Sequence, residues 1–77
     1  MENKTVLLTT QSCTKCPMVK TMIESKGLDI DYVDIEETPD LAIENSVMSV
    51  PTIITYEDGK AVTHVGQGAC MELVSQL

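Results

Sequence analysis

The stretch from Thr5 to Pro17, T-V-L-L-T-T-Q-S-C-T-K-C-P, decides the fold. Thr5-Val6-Leu7-Leu8-Thr9 is short, β-branched and apolar, the pattern of a strand buried on both faces. Thr10-Gln11-Ser12 ends it in a polar turn. A helix is expected from about Thr14 to Lys26, with Met18, Val19, Met22 and Ile23 as its apolar stripe and Gly27 as its stop. Cys13 and Cys16 therefore fall where a strand gives way to a helix.

The rest of the chain follows from this unit. Asp29-Ile30-Asp31-Tyr32-Val33-Asp34-Ile35 alternates with the period of a second strand. Thr38-Pro39 reads as an N-cap followed by proline at the first helical position, opening a short helix to about Asn45. Thr52 to Tyr56 is a third strand. Glu57-Asp58-Gly59-Lys60 is a hairpin turn, and Ala61 to Val65 is the returning strand. A last helix begins near Gly68, with Cys70, Leu73, Val74 and Leu77 on one face. The order β-α-β-α-β-β-α gives a parallel first pair joined by a right-handed crossover and an antiparallel last pair. An α/β domain is expected over residues 1–77, a four-stranded mixed sheet flanked by helices.

Composition bounds the function. The 77 residues include no Trp and no Phe, so the core must come from Val, Ile, Leu and Met. The formal net charge of -7 repels phosphate backbones and anionic membrane surfaces alike, which argues against nucleic-acid and membrane binding. No apolar run approaches the ~20 residues that span a bilayer. Met1-Glu2-Asn3-Lys4 leads into the first strand without the apolar region and cleavage site of a signal peptide. A cytoplasmic location is expected, where thiols are kept reduced. Three cysteines, an odd count, do not suit a secreted disulfide scaffold.

The spacing Cys13-Thr14-Lys15-Cys16 carries the chemistry. Unsatisfied N–H groups and the dipole at a helix start favour a thiolate. Two intervening residues let the sulfurs close a small disulfide. Lys15 adds local positive charge, and the thiolate is the nucleophile. With Cys13 at the helix N-cap and Cys16 further inside, Cys13 is expected to attack and Cys16 to resolve. A zinc site would need four ligands, and the remaining candidates are His64 and Cys70. Cys70 reads better as a small buried hydrophobe, and His64 as a solvated or satisfied strand residue. Met18 and Met22 read as core rather than metal ligands. No metal and no bound cofactor are expected beyond a redox-active Cys13–Cys16 disulfide. Val50-Pro51-Thr52 is the second signal, a proline directly before a strand.

Taken together, V-L-L-T-T-Q-S-C-T-K-C and S-V-M-S-V-P-T-I-I-T-Y-E-D-G-K-A-V-T-H-V-G resemble the thioredoxin/glutaredoxin superfamily over nearly the whole chain. The resemblance implies a thioredoxin-like fold, a cis-proline at Pro51, and Val50 beside the active-site disulfide. It also implies that backbone groups there pair with a substrate chain, so Val50 and Pro51, with Thr14 and Lys15, are the expected substrate-binding residues. The chain departs from thioredoxins at Ser12, at Thr14-Lys15, and at Leu7, where many thioredoxins bury an Asp. With Leu7 there, the Cys16 proton needs another acceptor, such as water. It departs from glutaredoxins in lacking Pro-Tyr between the cysteines and an acid in Gly66-Gln67-Gly68-Ala69-Cys70. Small hydrogen donors of ribonucleotide reductase share this mixture.

A monomeric dithiol oxidoreductase is therefore expected, reducing a disulfide-bearing protein such as ribonucleotide reductase. A flavoprotein of the thioredoxin-reductase type is the expected electron source, ahead of glutathione. A copper chaperone is one alternative, since such domains also place C-x-x-C before a helix. They carry Met where Gln11 stands, however, and join their second and third strands directly. A non-catalytic binding module is the other alternative, but it would need neither two cysteines nor Lys15.

Overall fold

A computed structural model of the chain describes residues 5–77, and the lead-in Met1-Glu2-Asn3-Lys4 lies outside them. The elements run β1 (Val6–Thr9), α1 (Cys16–Lys26), β2 (Asp31–Asp34), α2 (Asp40–Glu44), β3 (Thr52–Glu57), β4 (Lys60–Val65) and α3 (Gln67–Gln76). The four strands form one sheet in the order β2-β1-β3-β4. β1 and β2 are parallel, with Val6 opposite Asp31 and Thr9 opposite Asp34. β3 runs antiparallel to both β1 and β4. The element order, the parallel first pair and the antiparallel last pair are those expected from the sequence. That order differs from the β-α-β-β-α-β order of copper-carrying domains, and the chaperone alternative falls with it.

β1 is buried along its whole length, as its unbroken apolar run requires. One sheet face packs Leu7 and Ile53 against Val19 and Ile23 of α1 and Cys70 and Val74 of α3. The other packs Val6, Leu8 and Ile54 against Ala42 and Val47. Lys26, at the end of α1, reaches across to α3. Its ammonium donates to the carbonyls of Val74 and Ser75 at 2.8 and 3.1 Å, satisfying last-turn acceptors that α3 has no base of its own to meet. In the β3–β4 hairpin, Asp58 and Gly59 have φ of 53° and 79°. Two left-handed residues are what a tight turn matched to strand twist requires.

Several boundaries differ from the sequence pattern. α1 starts at Cys16 with Lys15 as its cap, not at Thr14 with Cys13 as cap. The later start puts Pro17 in the second helical position, where its missing N–H costs no intrahelical bond. α2 is capped by Pro39, without a side-chain bond from Thr38, and stops at Glu44. β2 is shorter than the alternating stretch, but the bond from Ile35 N–H to Thr9 O carries its pairing past its end, and that from Asp31 N–H to Thr5 O reaches one residue before β1. Met18 is not core. It is 56% exposed, because the wide stripe of α1 buries Val19 and Ile23 and leaves Met18 at its rim. Leu77, at the end of α3, is likewise exposed.

Candidate active site

β1 and β2 end on the same side of the sheet, since Thr9 pairs with Asp34 in a parallel ladder. The C-terminal ends of such strands are where α/β folds gather their sites. The chain leaves β1 there through a tight turn in which the Cys13 N–H bonds to Thr10 O at 3.3 Å. It then enters α1 at Cys16. Cys13 and Cys16 are joined by a disulfide, with their Cα atoms 5.5 Å apart. The Cys16 N–H, first of the unsatisfied donors of α1, points at the Cys13 sulfur at 3.1 Å. Although Lys15 is the cap, the sulfur of Cys13 still takes up a helix-start donor.

The two sulfurs are not equivalent. Cys16 is 1% exposed, whereas Cys13 is half-buried. Thr14 and Lys15 between them are exposed, with Lys15 at the cap of α1.

A second segment comes to the same end. Leu8 pairs with Thr52 across the antiparallel β1–β3 ladder, which puts Pro51 at the level of Thr9. The Val50–Pro51 bond is cis. Pro51 is fully buried and Val50 half-buried, packed on the α2-side core. The Thr52 hydroxyl donates to Ser49 O at 2.7 Å and holds the turn before the proline. Gly66 joins this segment to the third one, its N–H donating to Pro51 O at 2.9 Å. Its φ of 97° lies where a side chain would strain the backbone.

The third segment is the start of α3. Gln67 donates through Nε2 to the sulfur of Met18 at 3.0 Å, linking the first turns of α3 and α1. Beside this contact, Pro17, Met18 and Thr21 line a shallow cleft of about 290 Å³. The sequence pattern reads Met18 as core and gives no sign of its contact with Gln67. Their separation of 49 residues hides the contact, and the only available signal was that Met18 stands at the edge of its stripe.

The zinc candidates have other partners. The His64 ring nitrogen Nε2 lies 3.1 Å from the Thr55 hydroxyl. Cys70 is fully buried and its thiol donates to His64 O at 3.4 Å. Burial pushes the Cys70 thiol up to about 11, only partly offset by a hydrogen bond from the Ile53 backbone. Among the described residues, no group of three or more His, Cys, Asp and Glu side chains is placed to hold a metal ion. Nor, among them, is any helix long and apolar enough to cross a membrane.

A disulfide of this spacing at a strand–helix junction, with a cis-proline at the same end of the sheet, defines a thiol–disulfide oxidoreductase. Comparison with known proteins agrees. A family model described as a thioredoxin domain matches residues 2–74. The thioredoxin of Methanocaldococcus jannaschii is 27% identical over 79 residues, spanning 95% of this chain and 93% of that protein. The thioredoxin of Staphylococcus epidermidis is 34% identical over 59 residues, spanning 69% of this chain and 57% of that one. Among solved structures, the glutaredoxin-like NrdH-redoxin of Escherichia coli is alike in fold, with a TM-score of 0.75 and 18% identity, covering 96% of this chain and 93% of that one. The chain belongs to the thioredoxin family. Members of this family exchange disulfides through a redox-active cysteine pair of their own, without a bound cofactor.

Proposed function

We propose that this protein reduces disulfides in other proteins, with Cys13 as the attacking thiol and Cys16 as the resolving thiol. The observation that carries the reading is the unequal exposure of the two cysteines, half-buried Cys13 against 1% exposed Cys16. In the reduced state, the Cys13 thiolate attacks one sulfur of the substrate disulfide. The other substrate sulfur leaves as a thiolate and takes a proton. Cys16, losing its proton to solvent, attacks the Cys13 sulfur and expels the second substrate thiolate. The second substrate thiolate also takes a proton from solvent; the cysteine pair supplies the two electrons, and the Cys13–Cys16 disulfide remains. The Cys16 N–H at 3.1 Å favours the Cys13 thiolate at the start of this sequence. Thr14 and Lys15, exposed beside the disulfide, and Val50 and Pro51 are the residues against which the substrate chain is placed.

The acceptor we put first is ribonucleotide reductase, on the mixture of glutaredoxin size and thioredoxin-like detail. The electron source we put first is an NADPH-dependent flavoprotein of the thioredoxin-reductase type. The turn Gly66-Gln67-Gly68-Ala69-Cys70 offers no carboxylate for a glutathione amino group, and the Gln67 amide is engaged with Met18. We place the work in the cytoplasm and assign it to a single-domain monomer, consistent with an odd cysteine kept as a buried free thiol.

The test is insulin reduction coupled to NADPH oxidation, run with thioredoxin reductase or with glutathione and glutathione reductase. Cys13→Ser is expected to abolish turnover. Cys16→Ser should accumulate a mixed disulfide through Cys13. Cys70→Ala should keep most of the activity. Equal loss in all three variants would reject the assignment, and turnover only in the glutathione arm would reject the electron source.

A further inference from the structure

We infer that the Thr9 hydroxyl is the hydrogen-bond donor that supports the Cys16 sulfur as it ionises to resolve the mixed disulfide. The inference rests on the oxidoreductase reading and names a further residue for its second step.

The need arises from burial. Cys16 is 1% exposed, and a thiolate held away from water is costly unless a donor meets it. The start of α1 attends to the other sulfur. The Cys16 N–H points at Cys13 Sγ at 3.1 Å, and Pro17, next along the helix, has no N–H to offer. Leu7, fully buried in the sheet below α1, brings an apolar side chain. The donor must then be a buried polar side chain, and among the described residues only Thr9 and Thr52 qualify. Thr52 pairs with Leu8, which packs on the α2 side of the sheet, and its hydroxyl is committed to Ser49 O at 2.7 Å.

Thr9 stands where the donor is needed. It lies two residues beyond Leu7, so it shares the sheet face that packs against α1 and α3. Cys16, Val19 and Ile23 form the buried stripe of α1, and Val19 and Ile23 share one cluster with Leu7. From the end of β1 the chain turns back through α1 to reach parallel β2. The first turn of α1 therefore lies over the last residue of β1, which sets Cys16 above Thr9. In the oxidised protein the Thr9 hydroxyl donates to Thr10 O at 3.4 Å. That is long for an O–H···O bond, so little is lost when the hydroxyl turns about Cα–Cβ to a newly freed sulfur. In the step itself the Cys16 proton leaves to solvent and the Thr9 hydroxyl keeps its own. The Cys16 sulfur then bonds to Cys13 Sγ as the Cys13–substrate bond breaks, and the electron pair departs with the substrate sulfur, which solvent protonates.

One equivalent of dithionitrobenzoate, a disulfide whose thiolate is coloured, tests this on the reduced protein in a Cys70→Ala background. The first release of colour reads attack by Cys13 and the second reads resolution by Cys16, with Cys16→Ser marking the first alone. Thr9→Val should leave the first release within about twofold and slow the second about tenfold at pH 7, the loss of one hydrogen bond to an ionised group. The gap should narrow as pH rises toward about 10, because base then ionises Cys16 without the hydroxyl. Thr9→Ser should restore the second release. Thr9→Ser against Thr9→Ala repeats the contrast if valine disturbs the packing. A second release as fast in Thr9→Val as in the parent, a gap that pH does not move, or Thr9→Ser as slow as Thr9→Ala would each overturn the role of Thr9. Absence of a second release in the parent protein would instead overturn the oxidoreductase reading.

Discussion

Two regions of this molecule hold sulfur in opposite conditions. At the β1–α1 turn, Cys13 is half-buried, receives the Cys16 N–H and forms the disulfide. In the first turn of α3, Cys70 is fully buried and its thiol donates a hydrogen bond to the His64 carbonyl. The side chains are identical, and the environments assign them opposite roles. A donor aimed at sulfur and access to water favour the thiolate. A dry apolar shell favours the thiol and outweighs a backbone hydrogen bond from Ile53 that works the other way. Residue type makes a cysteine available for redox chemistry, and position decides whether it takes part.

The strongest way to break this contrast is to open the dry region. Leu7 is fully buried in the cluster that contains Cys70, Val19, Ile23, Ile53 and Val74. Leu7→Ala is expected to destabilise the fold by about 3 kcal/mol in urea unfolding, a large share of what a domain of this size holds. It should also make Cys70 labelling measurable under native conditions. A loss below about 1 kcal/mol would mean that the cluster collapses to fill the gap.

A gentler way is to titrate the region. The Cys70 thiol is raised from an ordinary 9.0 to about 11, burial being the main cause. A raised thiol pKa means the unfolded chain loses its proton first, so the contribution to stability is intact below pH 9 and disappears as pH rises through 11. The size is about 3 kcal/mol at most. Tyr32, raised by burial and by the Glu24 carboxylate, acts in the same direction. The difference in unfolding free energy between the parent and Cys70→Ala isolates the cysteine. That difference should change steadily from pH 9 to 11 in the oxidised protein. A flat difference would show that Cys70 titrates alike in both states.

The same contrast shows how much the sequence discloses. β1, the β3–β4 hairpin and the order of elements were legible in Val6-Leu7-Leu8, in Asp58-Gly59 and in the alternation of helical and strand periods. The burial of Cys70 was legible in its spacing from Val74. What escaped depended on three-dimensional neighbours. A four-residue apolar stripe on α1 cannot say which member meets the sheet, so Met18 counted as core although it lies at the rim. The start of α1 falls two residues later than the pattern suggests because Thr14 and Lys15 are compatible with helix. A start at Thr14 puts Pro17 at the fourth helical position, and its preference for the first two positions is the signal for the later start. The Gln67–Met18 contact joins two helix starts brought together only by the sheet between them.

The central claim is that one cysteine of three is built to attack first. It is tested most directly by reducing the native protein and exposing it to substoichiometric iodoacetamide at pH 7. The labelled positions are then mapped by mass spectrometry. At pH 7 a thiol titrating at about 11 is ionised in roughly one molecule in ten thousand. Label is therefore expected at Cys13 first, at buried Cys16 later, and at Cys70 only after unfolding. Equal labelling of Cys13 and Cys16, or early label at Cys70, would contradict it.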